Sequence, residues 1–143
     1  MKKIILGGLL LIAFTACTNN QGQKVEERKL NFAEFIDQPT VITFEEMSYD
    51  FGTVKEGELV HKTFKFTNTG DKDLILINVK GSCGCTVPDE WPKQPIAPGK
   101  TEEIKVTFNS EGRVGNVQKS VRIEANTEPT VTTLTITGKV VEK

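Results

Sequence analysis

From Thr40 onward the chain is written in period two. Val60, Phe64 and Phe66 share one parity, with Lys65 and Thr67 on the other. Ile104, Val106 and Phe108 alternate with Glu103, Lys105 and Thr107, and Val121, Ile123 and Ala125 alternate with Arg122 and Glu124. In an extended backbone successive side chains point to opposite faces, so each run offers one apolar face to a core and one polar face to water. Residues 41–44, 49–54 and 131–141 are further β-branched or aromatic runs, and Gly52 inside the second of these predicts a bulge or bend. Residues 74–79 are nearly all apolar, which predicts a strand at the centre of a sheet with both faces covered. Glu56-Gly57, Thr69-Gly70-Asp71-Lys72 and Pro98-Gly99-Lys100 supply turns between the runs.

About seven short strands at regular spacing, with no competing helical period, predict an all-β fold, an antiparallel immunoglobulin-like β-sandwich. No pair of cysteines is placed to bridge two sheets around a central tryptophan, so the core is expected to hold by packing alone.

One stretch is more than connecting chain. Residues 81–99 hold two of the three cysteines, the only tryptophan and four of the six prolines, and long loops in compact domains are often functional. Cys83 and Cys85 lie two apart, so in an extended strand their sulfurs share a face, with Cα atoms about 6.5 Å apart, near the upper limit for a disulfide. Gly84 between them offers backbone angles closed to other residues, which would tighten the bend. Three readings stay open: a short disulfide that stabilises little and leaves a redox role possible, a thiolate pair for a soft ion such as Cu(I), or packed thiols. Trp91 either caps the cysteine pair or stands as an exposed anchor for a partner.

Other chemistry lacks its residues. No nucleophile elbow, phosphate loop or paired metal-ligand motif occurs. The single histidine, His61, lies among polar and charged neighbours and reads as a solvated surface side chain. The adjacent pairs Glu26-Glu27, Glu45-Glu46 and Glu102-Glu103 would face opposite sides of a strand and read as solvated charge. No catalytic set, metal site or cofactor is expected.

The N-terminus assigns a compartment. Lys2 and Lys3 precede an apolar run from Ile4 to Phe14, too short to span a bilayer, and then Thr15-Ala16-Cys17. Residues 2–17 resemble a bacterial lipoprotein signal, departing from it at Phe14, where leucine is usual. The resemblance implies cleavage before Cys17 and acylation of its sulfur by chains such as palmitate; an ordinary signal cut near Ala16 would instead leave a free thiol. Several acyl chains on one cysteine would anchor the protein firmly. Residues 1–16 thus read as the signal, 17–38 as a polar tether and 39–143 as the sandwich. Within the tether, residues 30–36 have roughly helical apolar spacing and read as a short helix or docked arm ended by Pro39. Removing the signal leaves 127 of 143 residues, one domain's worth of chain. Two of the 18 basic side chains go with it and none of the 19 acids, for a formal charge of −3 that argues against nucleic acid as a partner.

Tyr49-Asp50-Phe51-Gly52-Thr53-Val54, Phe64-Lys65-Phe66-Thr67-Asn68-Thr69-Gly70, Gly81-Ser82-Cys83-Gly84-Cys85-Thr86 and Pro98-Gly99 together resemble the domain-of-unknown-function family 1573. That family consists of small exported proteins, often lipoproteins, common in Bacteroidota. The resemblance spans roughly residues 40–140, and Ser-Cys-Gly-Cys-Thr is its specific element. The Phe-Thr-Asn-Thr-Gly turn is similar to those of major sperm protein and ASH-type sandwich domains, which are interaction modules. The resemblance implies that Cys83 and Cys85 belong to the domain's design, and it transfers no catalytic residue. In that group, surface lipoproteins tend to carry acids soon after the lipidated cysteine. Residues 18–25 carry none, which implies an outer-membrane lipoprotein facing the periplasm. The reading is a non-enzymatic module, held at the membrane through Cys17, that binds an envelope protein or component. The alternative is an accessory in thiol-disulfide or copper handling through Cys83 and Cys85.

Overall fold

The computed structural model describes residues 37–143. The signal, Cys17, the segment 30–36 and nearly all of the tether lie outside the described residues. Eight strands follow in order: β1 (Ile42–Phe44), β2 (Ser48–Lys55), β3 (Leu59–Asn68), β4 (Leu76–Gly81), β5 (Thr86–Glu90), β6 (Thr101–Asn109), β7 (Gly115–Ala125) and β8 (Val131–Val141). They form two four-stranded sheets, β1-β3-β6-β5 and β2-β8-β7-β4, packed as an immunoglobulin-like sandwich.

The inward parities are those the alternation dictates. Phe64 and Phe66 of β3, Ile104 and Val106 of β6, Val121 and Ile123 of β7 and Leu134 and Ile136 of β8 make the main core. Val60, Phe108, Val117 and Val140 form a second cluster. Each fully buried side chain of this size contributes about 1.5–3 kcal/mol. Phe51 stacks on Phe108 with ring centroids 5.5 Å apart and covers Gly138, where a Cβ would lie 2.3 Å from the ring. The bulge expected at Gly52 is present. The β2–β8 register shifts between Asp50 and Thr53, Gly52 has φ 69°, and its N–H donates to Asp50 Oδ1 at 2.8 Å.

Three expectations are corrected. The apolar run 74–79 is not a central strand: only its last four residues enter β4, which lies at the edge of its sheet with Ile77 exposed. Leu74 instead exchanges two backbone hydrogen bonds with Ile96, so tertiary packing at the end of the sandwich, and not a second flanking strand, buries the run. The sheets are not wholly antiparallel, because β2 runs parallel to β8. The eighth strand is β5, inside the stretch read as a loop. Pro88 hides it, since proline is tolerated only at sheet edges or bulges, and β5 is an edge strand with a register shift between Pro88 and Glu90.

Two buried asparagines tie down the end of the sandwich. Asn68 Oδ1 accepts from Thr40 Oγ1 (3.0 Å) and Gly70 N (3.2 Å), and its Nδ2 donates to Lys72 O (2.7 Å) and Ile96 O (2.8 Å). Asn126 Oδ1 accepts from Ile75 N at 2.7 Å, and its Nδ2 donates to Asp73 O and Gln38 O. Between them they hold both sides of the 71–75 connection that leads into β4.

Candidate functional site

The Ser-Cys-Gly-Cys-Thr segment is the corner where the chain leaves one sheet for the other. At its start, Ser82 extends the β4–β7 ladder, its N–H donating to Ser120 O at 2.8 Å. Toward its end, Cys85 O extends the β5–β6 ladder by accepting from Asn109 N at 2.8 Å. Between these points Thr86 N donates to Cys83 O at 3.1 Å, closing a β-turn with Gly84 and Cys85 at its centre. The turn brings the two Cα atoms to 5.2 Å, and the sulfurs are bonded at 2.01 Å. The separation is well inside the disulfide range, and shorter than an extended strand would give because the segment is a turn. A pair joined in this way holds no thiolate for Cu(I) until it is reduced. Among the described residues no group of three or more histidines, cysteines and carboxylates is placed to hold a metal ion.

Gly84 does not play the role expected of it. Gly84 is not in the left-handed region, and nothing lies within 4 Å of where its Cβ would stand. Gly81 is the constrained one: a Cβ there would lie 1.8 Å from Thr86 O. Strand interiors carry glycine where another backbone approaches closely, and here the chain passes against itself as it changes sheets. Gly84→Ala is therefore expected to leave urea-unfolding stability within about 0.5 kcal/mol of wild type.

The disulfide closes a three-residue ring, for which chain-entropy arithmetic gives about 1.5 kcal/mol. The double variant Cys83→Ser/Cys85→Ser is expected to fold and to lose about that much stability in the same measurement. A chain that no longer folds would make the bond a structural staple.

Trp91 is half-buried, against the main core cluster, while Cys85 packs on the second. Strand β5 (Thr86–Glu90) lies between them. The tryptophan lines a shallow depression of 230 Å³ with Glu90, Pro92, Glu102, Glu103 and Lys105. Lys105 Nζ lies 2.8 Å from Glu90 and 3.5 Å from Glu103, and hydrogen bonding and charge from Glu90 first, then Glu103, hold its pKa above the ordinary lysine value. Lys93 sets its ammonium over the indole face, and desolvation there lowers its pKa.

His61 stands exposed on β3, its Nδ1 2.8 Å from Thr107 Oγ1. The Thr107 hydroxyl donates to Asp89, so the imidazole donates in turn. A threonine thus separates histidine from carboxylate, and this is not the order of a hydrolytic triad. Asp89 was hidden from sequence reasoning because its strand was. Asn68 carried a signal: it continues the inward parity of Phe64 and Phe66, and an inward polar side chain must find partners.

In solved structures the described sandwich is similar to the ASH/PapD-like domain 7 of human CEP192 (TM-score 0.59, 16% identity, 73% of this chain and 88% of that one). It is similar also to a protein of unknown function from Porphyromonas gingivalis W83 (TM-score 0.59, 19% identity, 71% of this chain and 47% of that one). A third likeness is the secreted serine protease VesC from Vibrio cholerae (TM-score 0.58, 14% identity, 77% of this chain). The chain spans under half of the Porphyromonas protein and 25% of VesC. At these identities the likeness is one of fold. No curated protein sequence matches the chain. The protein family of unknown function DUF1573 matches residues 42–140, most of the chain and nearly all of the sandwich, and the chain belongs to that family.

Proposed function

We propose that the domain is a non-catalytic binding module, held at the outer membrane by acyl chains on Cys17 and facing the periplasm, whose partner presents a basic segment. The observation that carries this is the Trp91 depression. A large amphipathic ring opens to solvent beside three carboxylates, with one lysine among the lining residues and another ammonium already resting on the indole. Tryptophan at the floor of a surface site is a common binding anchor, and a cation over its face is a recognised contact. A lysine or arginine from a partner could take the place of Lys93 and meet the glutamates around it.

The test is in-cell crosslinking of the tagged full chain, comparing wild type with Glu90→Lys/Glu102→Lys. Both positions are exposed, so the fold is expected to survive. One partner band is expected with wild type, reduced about tenfold by charge reversal, as loss of interfacial charge pairs would produce. Equal crosslinking by both chains would refute the assignment of this surface. Membrane fractionation of Cys17→Ser tests the anchor separately, since without acylation the chain should be released in soluble form.

A further inference from the structure

We propose that the Cys83–Cys85 disulfide is an exchange site that passes its oxidising equivalents to a partner dithiol, with Cys85 receiving the attacking sulfur and Cys83 leaving as the thiolate. The asymmetry comes from what each sulfur touches. Thr86 is buried at 2% exposure, and among the described residues its hydroxyl has one hydrogen-bond partner, Cys83 Sγ at 3.7 Å. A disulfide sulfur is a weak acceptor, so in the oxidised chain this buried hydroxyl is poorly satisfied. A thiolate is a charged and much stronger acceptor. Breaking the bond toward Cys83 therefore improves the position of Thr86. Cys85 packs against the cluster of Val60, Phe108, Val117 and Val140, and apolar surroundings disfavour a thiolate. The leaving group is thus fixed on the Cys83 side.

The corner is also built to survive opening. Ser82 N to Ser120 O, Asn109 N to Cys85 O and Thr86 N to Cys83 O hold it by backbone hydrogen bonds that involve neither sulfur. Gly84 is exposed, with open space where a side chain would stand, which leaves the turn accessible to an incoming thiolate. In the first step the partner's thiolate bonds to Cys85 Sγ, the Cys83–Cys85 bond breaks and its electron pair passes to Cys83 Sγ. In the second, the partner's other thiolate attacks its own sulfur in the mixed disulfide and expels Cys85, which takes up a proton. The partner leaves as a disulfide, two electrons poorer, and the domain holds them as the Cys83 thiolate and the Cys85 thiol.

The experiment uses the full chain, purified oxidised in detergent, with glutathione as the monothiol probe and dithiothreitol as the dithiol. After brief exposure to glutathione at pH 7, the mixture is acid-quenched, alkylated and mapped by mass. Glutathione is expected on Cys85 and the alkyl group on Cys83. Glutathione on Cys83, or a native chain that reacts only once denatured, would overturn the proposal. Thr86→Val is expected to slow reduction by dithiothreitol about tenfold, the loss of one hydrogen bond to a charged group. Thr86→Ser, which keeps the hydroxyl, is expected to restore it. Reduction rates unchanged in Thr86→Val would assign the hydroxyl a packing role and overturn the mechanism. The glutathione map on the wild-type chain decides the question even if the valine variant folds poorly.

Discussion

Gly81→Ala is expected to destabilise the domain by about 3 kcal/mol, at the upper end of overpacking costs. The added Cβ would meet not a flexible side chain but the carbonyl of Thr86, with its oxygen 1.8 Å and its carbon 2.8 Å away. Neither atom can rotate aside. Thr86 opens β5, whose register on β6 pairs it with Phe108, and Gly81 ends β4, paired with Val121 of β7. To admit one methyl group the two sheets must part at the corner that joins them. For a domain of roughly 100 residues, about 3 kcal/mol lowers the melting temperature by about 12 °C or more. Thermal unfolding of Gly81→Ala beside Gly84→Ala checks it, because the two positions bracket Cys83 and differ mainly in the space around them. Equal melting temperatures for both variants would show that the close approach does not constrain the fold.

That pair of glycines also marks how far the sequence can be read. Parity decided the inward faces of β3, β6 and β7, since burial on one side of a strand leaves its mark on every second residue. It could not decide which strands become neighbours. Residues 74–79 are nearly all apolar for two separate reasons: Leu74 pairs with Ile96, and Leu76 and Val79 face the core from an edge strand. A local window sees one apolar run. Parallel pairing of β2 with β8 joins Tyr49 to Ile136 across most of the chain, and nothing in either segment announces the partner. Pro88 and its acidic neighbours look like loop because edge strands discourage further pairing with the same residues that punctuate loops. Within the cysteine motif the residue types pointed to a sulfur pair. The reason for each glycine, and the hydroxyl aimed at Cys83, depend on contacts made only when the corner closes. The Trp91 depression collects side chains from β6 and from the end of β5, so its acidic character could not be read from either alone.

The second large effect is expected at Asn68. Asn68→Ala should cost about 3 kcal/mol, from several net hydrogen bonds of about 1 kcal/mol each and a small cavity. The side chain is fully buried and uses its amide on both sides, accepting from Thr40 and Gly70 and donating to Lys72 and Ile96. Some of these partners have a second bond. Ile96 O also accepts from Leu74 N at 2.9 Å, and Lys72 O accepts from Thr40 Oγ1 at 3.1 Å. The loss therefore falls mainly on the Gly70 amide and on the packing of Thr40. Gly70 itself lies close against Thr40, where a Cβ would stand 2.1 Å from Thr40 Oγ1. Asn68→Asp separates bonding from volume. It keeps an acceptor for Thr40 and Gly70, but it turns an oxygen toward the carbonyls of Lys72 and Ile96 and places a charge where water is excluded. It should cost at least as much as alanine at neutral pH, although it leaves no cavity. Urea unfolding of the two variants checks this, and an aspartate variant close to wild type would mean that space, not the amide's donors, is what the position requires. Asn126 holds the same connection from the far side through Ile75 and Asp73. The double variant Asn68→Ala/Asn126→Ala should accordingly lose less than the sum of the singles, since once either clasp is gone the 71–75 segment is already partly released.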